Sequence, residues 1–203
     1  MPKNPTSGVL FVISGPSGVG KGTICQRLIA QNSNLVCSVS ATTRSPRQGE
    51  VNGVNYFFIS EEEFLSQIDK NCFLEWAEVF GNYYGTPKAE VEALLDQGKD
   101  VILEIDVQGA MQVKTACPEG VFVFILPPGL EELKKRITLR GSETKESLLC
   151  RVNKAEAEMA LADQYHFKVV NDDLETAVAR VEALIAKVKQ VKDAGRDIKQ
   201  LDF

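Results

Sequence analysis

The chain has 203 residues, enough for one compact domain with inserted subdomains, and its 44% hydrophobic content is ordinary for a globular protein. It carries 23 basic and 28 acidic residues, a formal net charge of -5, so it has no overall positive field that would attract nucleic acid. The polar N-terminus, the lack of a membrane-length apolar run and five cysteines without CxxC spacing indicate a cytoplasmic protein with reduced thiols and no membrane partner. Composition leaves open whether the chain forms a homo-oligomer.

A short apolar run at 9–13 predicts a buried strand, and a Gly-rich turn leads from it into a helical pattern. The turn reads Gly15-Pro16-Ser17-Gly18-Val19-Gly20-Lys21-Gly22-Thr23. This arrangement is typical of a P-loop, whose backbone N–H groups and helix dipole bind phosphate while the lysine reaches the terminal phosphates. The P-loop pattern has Ser or Thr directly after the lysine, where this chain has Gly22, so the magnesium-binding hydroxyl is either shifted or supplied by Thr23. The alternative is a Gly-rich turn that binds no ligand.

Residues 38–98 follow a different pattern, which predicts a small α+β insertion between two core strands. A strand is predicted over 56–59, and Ser60 is the predicted N-cap of a helix after it. Residues 73–80 alternate loosely, as in a strand, and a further helix is predicted to begin at Thr86 and Pro87 and to stop near Gly98.

Three more apolar runs predict core strands at 101–105, 121–126 and 167–170. A charged helix follows the second of these, and the last helix has Asp172 as its predicted N-cap. Strands that alternate with helices in this way predict an α/β fold with a parallel-sheet core and helices on both of its faces.

Three further segments and a set of arginines resemble elements of the guanylate kinase family. They are residues 38–50 (SVSATTRSPRQGE), residues 81–86 (GNYYGT), residues 103–109 (LEIDVQG) and the arginines after Pro127 and Pro128. Together with the P-loop they run in family order from about Val9 to Asn171. The resemblance implies a P-loop core of residues 1–37, 99–129 and 159–203, a GMP-binding insertion at 38–98 and a helical lid at 130–158. It also implies phosphorylation of GMP to GDP with ATP as the donor and Mg²⁺ as the cofactor.

The resemblance implies roles for individual residues of the insertion. The GMP phosphate would be held by Arg44 and Arg47 of the first segment, Tyr84 of the second and Tyr56 between them, and Glu50 belongs to the same GMP-binding set. Two guanidinium groups and two phenols suit a dianionic monoester. The guanine base would be read by Ser40, Glu75 and Thr86.

Other implied residues lie outside the insertion. Glu104 and Asp106 would lie near the GMP ribose and base or in the magnesium shell. The arginines Arg136, Arg140 and Arg151 match the lid arginines, and with Lys21 and Arg44 they would be the catalytic cations. Asn171 stands where the family holds the ATP adenine.

Without the resemblance, several of these residues have ordinary structural explanations. Arg44 and Arg47 also fit a solvated loop, and Tyr56 and Tyr84 fit core aromatics with hydroxyls in water. Glu75 also fits the exposed side of a strand, and Thr86 fits a helix cap. Glu104 and Asp106 fit strand-end carboxylates, Arg136 fits a surface pair with Glu132, Arg140 fits a helix C-terminus, and Asn171 fits a helix start.

Two other functions compete with a kinase. Residues 106–109 (DVQG) mimic a GTPase switch motif, but the only Asn-Lys segment after them, at 153–156, ends in Glu within a helical pattern. The second is a guanylate-kinase-like module that binds phosphorylated peptides. Such modules usually have a damaged phosphate loop, so an intact Lys21 favours the enzyme.

Overall fold

The computed structural model describes residues 7–79, 81–138 and 145–196, without the side chains of 145–150. The strands are β1 (Leu10–Ser14), β2 (Leu35–Cys37), β3 (Ala41–Thr42), β4 (Phe57–Phe58), β5 (Phe73–Val79), β6 (Asn82–Pro87), β7 (Asp100–Glu104), β8 (Val121–Leu126) and β9 (Phe167–Val170). The helices are α1 (Lys21–Gln31), α2 (Glu61–Asp69), α3 (Lys88–Asp96), α4 (Val107–Ala116), α5 (Leu130–Thr138), α6 (Lys145–Met159) and α7 (Leu174–Asp193).

The described residues divide into two compact units. The first unit comprises residues 7–10, 34–79, 81–103 and 108–120, and the second comprises residues 11–33, 104–107, 121–138 and 145–196. In this part of the chain, no helix combines the length and the apolar character that a membrane crossing requires.

The second unit is built on parallel strands. β8 pairs in parallel with β1 and with β9, so that Val12 lies opposite Phe122, and Val123 lies opposite Phe167. Every residue of β1 is buried, as are the first five residues of β8, which explains why both strands are apolar apart from Ser14 at the end of β1. Helix α7 packs on α1 and β9 with a buried face that includes Val181. This frame presents the carboxyl end of β1, where open α/β sheets carry their ligand sites.

The first unit contains two groups of strands. β2 and β7 pair in parallel, whereas the strands of the insertion form a sheet in the order β4-β3-β6-β5. This small sheet has its own core, in which the Phe64 ring of α2 stacks on Phe73 at 4.4 Å and on Tyr83 at 5.4 Å. The side chain of Ser60 accepts from the Glu63 N–H at 3.1 Å, which confirms the predicted cap of α2.

The predicted α/β fold with a parallel sheet is confirmed. The four apolar runs correspond to β1, β7, β8 and β9 within one residue at each end. Strands β2, β3 and β6 are missing from the sequence-based prediction. β2 and β3 have three and two residues, which is too short for a periodic pattern to appear, and β6 ends in the Thr86 and Pro87 that suggested a helix start.

Two predicted helix starts are wrong. Thr86 does not cap α3, because the N-cap is Pro87, without a side-chain hydrogen bond, and the Thr86 hydroxyl instead donates to Glu75. Helix α7 is capped by Asp173, whose side chain accepts from the Thr176 N–H at 2.9 Å, and not by Asp172. In both cases the side chain of the predicted cap takes another partner: Thr86 donates to Glu75, and Asp172 accepts from Arg180.

Candidate functional site

The loop at 15–23 has the geometry of an anion-binding turn. Helix α1 begins at Lys21, directly after Gly20. The backbone of Gly20 is left-handed (φ 97°), a conformation that glycine adopts at low energetic cost. The first turn of α1 contains no acidic residue, so the positive end of its dipole is not neutralised from within the helix. Lys21 Nζ donates to the carbonyl oxygens of Gly15 at 2.6 Å and Pro16 at 3.2 Å. The ammonium group is therefore held by its own loop.

Lys21 lies in a partly desolvated and acidic environment. Burial lowers the pKa of its ammonium, while the carboxylates of Glu104, Glu158 and Asp106 act in the opposite direction. Burial also raises the pKa of Glu158, with the cations of Lys154 and Lys21 opposing that shift. The structure thus brings Glu104 and Asp106 to the P-loop lysine, together with a third carboxylate from α6.

Glu104 also lies directly against Gly22. A Cβ at Gly22 would be 3.2 Å from Glu104 Oε1 and 3.5 Å from Oε2, which is tighter than ordinary packing. The glycine that departs from the P-loop pattern therefore gives this carboxylate room beside the first turn of α1. The neighbouring Thr23 is exposed, so its hydroxyl is open to a ligand.

Asn171 connects the P-loop to α5. Its Nδ2 donates to the Val19 carbonyl at 2.8 Å, and the buried side chain lies against Gly20, where a Cβ would be 2.6 Å from Nδ2. Its backbone carbonyl accepts from Arg136 NH1 at 3.1 Å. Asn171 therefore supports the loop through its amide, a contact that the resemblance does not imply.

The lid arginines are only partly within the described residues. The Arg136 side chain bonds through Nε to Glu132 at 3.1 Å, the ion pair that its spacing on α5 suggested, as well as to Asn171. Arg151 lies half-buried on α6. Arg140 lies outside the described residues.

In the first unit, Glu75 and Thr86 form a buried pair. Glu75 has 7% relative exposure and Thr86 has 0%, and the Thr86 hydroxyl donates to Glu75 Oε1 at 2.7 Å. The register of β5 shifts between Phe73 and Glu75, so Glu75 is buried next to the buried Leu74, contrary to simple strand alternation. The structure thus gives an inward-facing carboxylate with one oxygen anchored by a neutral donor.

Arg44 forms a second polar group in the same unit. Its guanidinium makes a two-pronged contact with Glu50, from NH1 to Oε2 at 3.0 Å and from NH2 to Oε1 at 2.9 Å. The Arg47 backbone N–H also donates to Glu50 Oε2, at 2.7 Å. The bond to Glu50, and then the one to Tyr84, raise the pKa of Arg44, while the bond from Arg44 lowers the pKa of Glu50. Glu50 therefore holds the arginine in a fixed orientation.

The aromatic candidates surround Arg44. The Tyr56 ring lies 5.5 Å from the guanidinium carbon and 6.0 Å from the Tyr84 ring, edge to face. Arg47 is exposed, and Ser40 lies half-buried immediately before β3. The structure therefore brings Arg44, Glu50, Tyr56 and Tyr84 together.

Sequence reasoning missed two contributors to these groups. Glu158 resembles half of a surface pair with Lys154 four residues before it, at 3.7 Å, and nothing in that pattern indicates the P-loop lysine. Gly109 stands out in the sequence only as part of residues 103–109, yet a Cβ there would lie 2.7 Å from Glu75 Oε2. Among the described residues, no group of three or more His, Cys, Asp or Glu side chains is arranged to hold a metal ion.

Comparison with known proteins identifies the family. The guanylate kinase family profile matches residues 7–188. A guanylate kinase of Clostridium perfringens (strain SM101 / Type A) is 58% identical over 182 residues, which cover 90% of this chain and 84% of the relative. A guanylate kinase of Clostridium tetani is 53% identical over 191 residues, with coverages of 92% and 91%. The crystal structure of guanylate kinase from Anaplasma phagocytophilum matches with a TM-score of 0.71 at 35% identity, covering 89% of this chain and 86% of that one. All three carry the enzyme's name, and the alternative of a phosphopeptide-binding module gains no support from them. This chain belongs to the guanylate kinase family.

Proposed function

We propose that this enzyme transfers the γ-phosphoryl group of ATP to GMP, reversibly, giving ADP and GDP. The observation that carries the guanine assignment is the buried Glu75 carboxylate, anchored at Oε1 by Thr86 at 2.7 Å. Guanine presents N1–H and N2–H₂ as donors, whereas adenine has a lone pair at N1 and a donor at its 6-amino group. A fixed carboxylate therefore accepts from guanine and is left unsatisfied by adenine. The family relationship and the enzyme names of close relatives agree with this assignment.

The P-loop is the proposed site for the ATP phosphates. The backbone N–H groups of residues 15–23 and the N-terminus of α1 would bind the β- and γ-phosphates. Lys21 would exchange its bonds to Gly15 and Pro16 for phosphate oxygens, so the loop carbonyls serve as temporary acceptors that hold the ammonium in place. Arg136, Arg140 and Arg151 would add positive charge where the transferred group becomes more negative, which is the main requirement of phosphoryl transfer.

Arg44 is the proposed main ligand of the GMP phosphate. Its pairing with Glu50 and its contact with the Tyr56 ring preorganise the guanidinium, so little side-chain entropy remains to be lost when GMP binds. Tyr84 and Tyr56 would add hydroxyl donors, and Arg47 a second cation. Glu50, which sequence reasoning placed among the GMP-binding residues, would act through Arg44.

The residues beside Lys21 fit a magnesium ion that is carried by the nucleotide. Mg²⁺ in kinases is usually held by one or two carboxylates, several waters and substrate phosphates, and not by a protein cage. Glu104, Asp106 and the exposed Thr23 offer oxygen donors next to the P-loop, and Gly22 makes room for the first of them. Their position near Lys21 favours the magnesium shell over the GMP ribose as their role. When bound, the ion would neutralise phosphate charge.

The remaining assignments follow from the substrates. We assign ATP binding to the P-loop core, GMP binding to the insertion at 38–98, and additional arginines to the lid at 130–158. Asn171 would lie next to the ATP adenine while its amide holds Val19. ATP and GMP are intracellular metabolites, so the enzyme would act in the cytoplasm.

A coupled assay of ADP release tests the proposal. ATP is supplied with each of GMP, AMP, CMP and UMP in turn, and magnesium is varied or removed with a chelator. We expect turnover with GMP, at least about 10⁴-fold selectivity over AMP in kcat/KM, and no turnover without magnesium. Comparable rates with AMP and GMP would contradict the guanine assignment. GMP binding without turnover would revive a binding module.

A further inference from the structure

The outer edge of strand β5 is bonded to a side chain of helix α4. β5 is the last strand in the order β4-β3-β6-β5, and an edge strand exposes backbone groups that seek partners. Gln112 of α4 supplies them for Trp76: its Oε1 accepts from the Trp76 N–H at 3.1 Å, and its Nε2 donates to the Trp76 carbonyl at 2.9 Å. One side-chain amide therefore takes the place that a residue of an adjacent strand would occupy.

Gly109, on the same face of α4 one turn before Gln112, contacts the neighbour of Trp76. A Cβ at Gly109 would lie 2.7 Å from Glu75 Oε2 and 3.2 Å from Glu75 Cδ, so any other residue there would require the carboxylate to shift. The other carboxylate oxygen, Oε1, accepts from the Thr86 hydroxyl at 2.7 Å. The Glu75 carboxylate thus lies between the Thr86 hydroxyl of β6 and the backbone of α4 at Gly109, where there is no side chain.

We infer that Gln112 and Gly109 are positioning residues that determine purine specificity by holding Glu75 in place. This inference rests on the proposed function, in which Glu75 reads guanine. Gln112 fixes the backbone of β5 next to Glu75, and Gly109 fixes how far the carboxylate extends toward α4. Neither residue needs to touch GMP.

Hydrogen-bond geometry explains why such positioning matters. Hydrogen bonds weaken steeply as the donor–acceptor angle falls below about 120°, and sites need their groups held within about 0.5 Å of the productive geometry. A carboxylate that rotates or retreats loses the paired bonds to guanine. It also finds other partners, including water, so adenine is rejected less strongly. Loss of the α4 contacts should therefore reduce GMP affinity and selectivity together, and leave ATP binding intact.

The main test compares Gln112→Met with the wild type. Methionine keeps the length of the side chain and a high helix propensity, but it removes both bonds to Trp76. We expect the KM for GMP to rise by about five- to tenfold, and the GMP-over-AMP ratio of kcat/KM to fall by a similar factor. The KM for ATP and kcat should stay within about twofold of the wild type. Gln112→Glu keeps the acceptor for the Trp76 N–H and loses the donor to the Trp76 carbonyl. Its KM for GMP should therefore lie between the values of the wild type and Gln112→Met.

A second variant and a control separate positioning from general stability. Gly109→Ala displaces the carboxylate directly, so its KM for GMP should rise by about thirtyfold or more. Thr115→Ala is the control on the same helix, because the exposed Thr115 hydroxyl bonds to Met111 of its own helix. Trp76 is the chain's single tryptophan, and its fluorescence without GMP should change in Gln112→Met and stay unchanged in Thr115→Ala.

The outcomes are distinct. If the wild type prefers GMP and Gln112→Met keeps both its KM for GMP and its selectivity, the inference is wrong and the proposed function stands. Equal increases in KM for GMP and ATP would show a merely structural role and would also overturn the inference. A wild type that does not phosphorylate GMP would overturn the proposed function itself. Should Gly109→Ala fail to fold, the Gln112 variants decide the question.

Discussion

The P-loop and the Glu75 site are built from different kinds of contacts. In the P-loop, one continuous segment folds on itself, and its lysine bonds to the loop's own carbonyls. The Glu75 site joins a carboxylate of β5, a hydroxyl of β6 and a helix turn of α4, and a strand-edge bond from Gln112 supports it. Backbone recognition of phosphate needs a local chain conformation, whereas recognition of a base needs side chains in fixed positions. Apart from the Asn171 bond to Val19, the P-loop should therefore tolerate distant changes, and the Glu75 site should be sensitive to them.

The largest effect should come from the P-loop lysine. Lys21→Ala removes a cation from the place where negative charge develops, and we expect kcat/KM to fall by about a hundredfold or more. The loop backbone remains, so ATP binding should persist with lower affinity. Steady-state kinetics and an ATP titration measure both effects. Lys168→Ala, which removes an exposed lysine paired with Asp163, is the control. Near-normal turnover in a folded Lys21→Ala protein would place the ATP site elsewhere.

The next effect should appear on the guanine side. Glu75→Gln keeps the side-chain shape and the acceptor for Thr86, but it removes the charge and introduces an amide donor. Hydrogen bonds to charged groups contribute about 1.5–3 kcal/mol, so the KM for GMP should rise by about ten- to a hundredfold. The GMP-over-AMP ratio of kcat/KM should fall, and the KM for ATP should stay within about twofold of the wild-type value. Kinetics with both acceptors provide the measurement. Intact discrimination would show that Glu75 does not read the base.

A smaller effect should link Gly22 to Glu104. Gly22→Ala places a Cβ 3.2 Å from Glu104 Oε1, so the carboxylate must shift by a few tenths of an ångström. We expect kcat/KM to fall by about three- to tenfold, although alanine favours the helix. Glu104→Asp, which is one methylene shorter, should make the Gly22→Ala substitution less harmful in the double variant. A double-mutant cycle in kcat/KM and in the magnesium requirement measures the coupling. Strictly additive effects would show that the contact is unimportant.

The smallest effect concerns Tyr165, a buried residue just before β9 whose ring packs edge to face on Phe124 of β8. Burial raises the pKa of the Tyr165 phenol from 10.0 to about 12, and the nearby Ser14 hydroxyl offsets this only in part. Between pH 10 and 12 the folded protein keeps the proton that the unfolded chain has lost, so the free energy of unfolding falls as pH rises. Tyr165→Phe should reduce that slope. Denaturant unfolding of both proteins across this range measures it, and identical slopes would contradict the assigned pKa.

The sequence predicts the P-loop better than the Glu75 site, because the P-loop depends on local chain conformation and the Glu75 site depends on packing between distant segments. The order of residues 15–23 alone predicts the phosphate loop, and the apolar runs predict four core strands within one residue, although they miss β2. The burial of Glu75 could not be predicted, because a register shift in β5 overrides the alternation that would expose it. Thr86 was a plausible cap for α3, and only the presence of the Glu75 carboxylate decides its hydrogen bond.

Sequence alone determined the α/β class, the P-loop and, through ordered family segments, the guanylate kinase relationship. These properties depend on local order and on hydrophobic period, both of which can be seen along the chain. Tertiary structure decided that Glu50 holds Arg44, that Asn171 supports Val19, and that Glu158 acts on Lys21. Each of these contacts depends on the direction in which a side chain points after distant segments have packed. Packing and burial set that direction, and no spacing in the sequence records it.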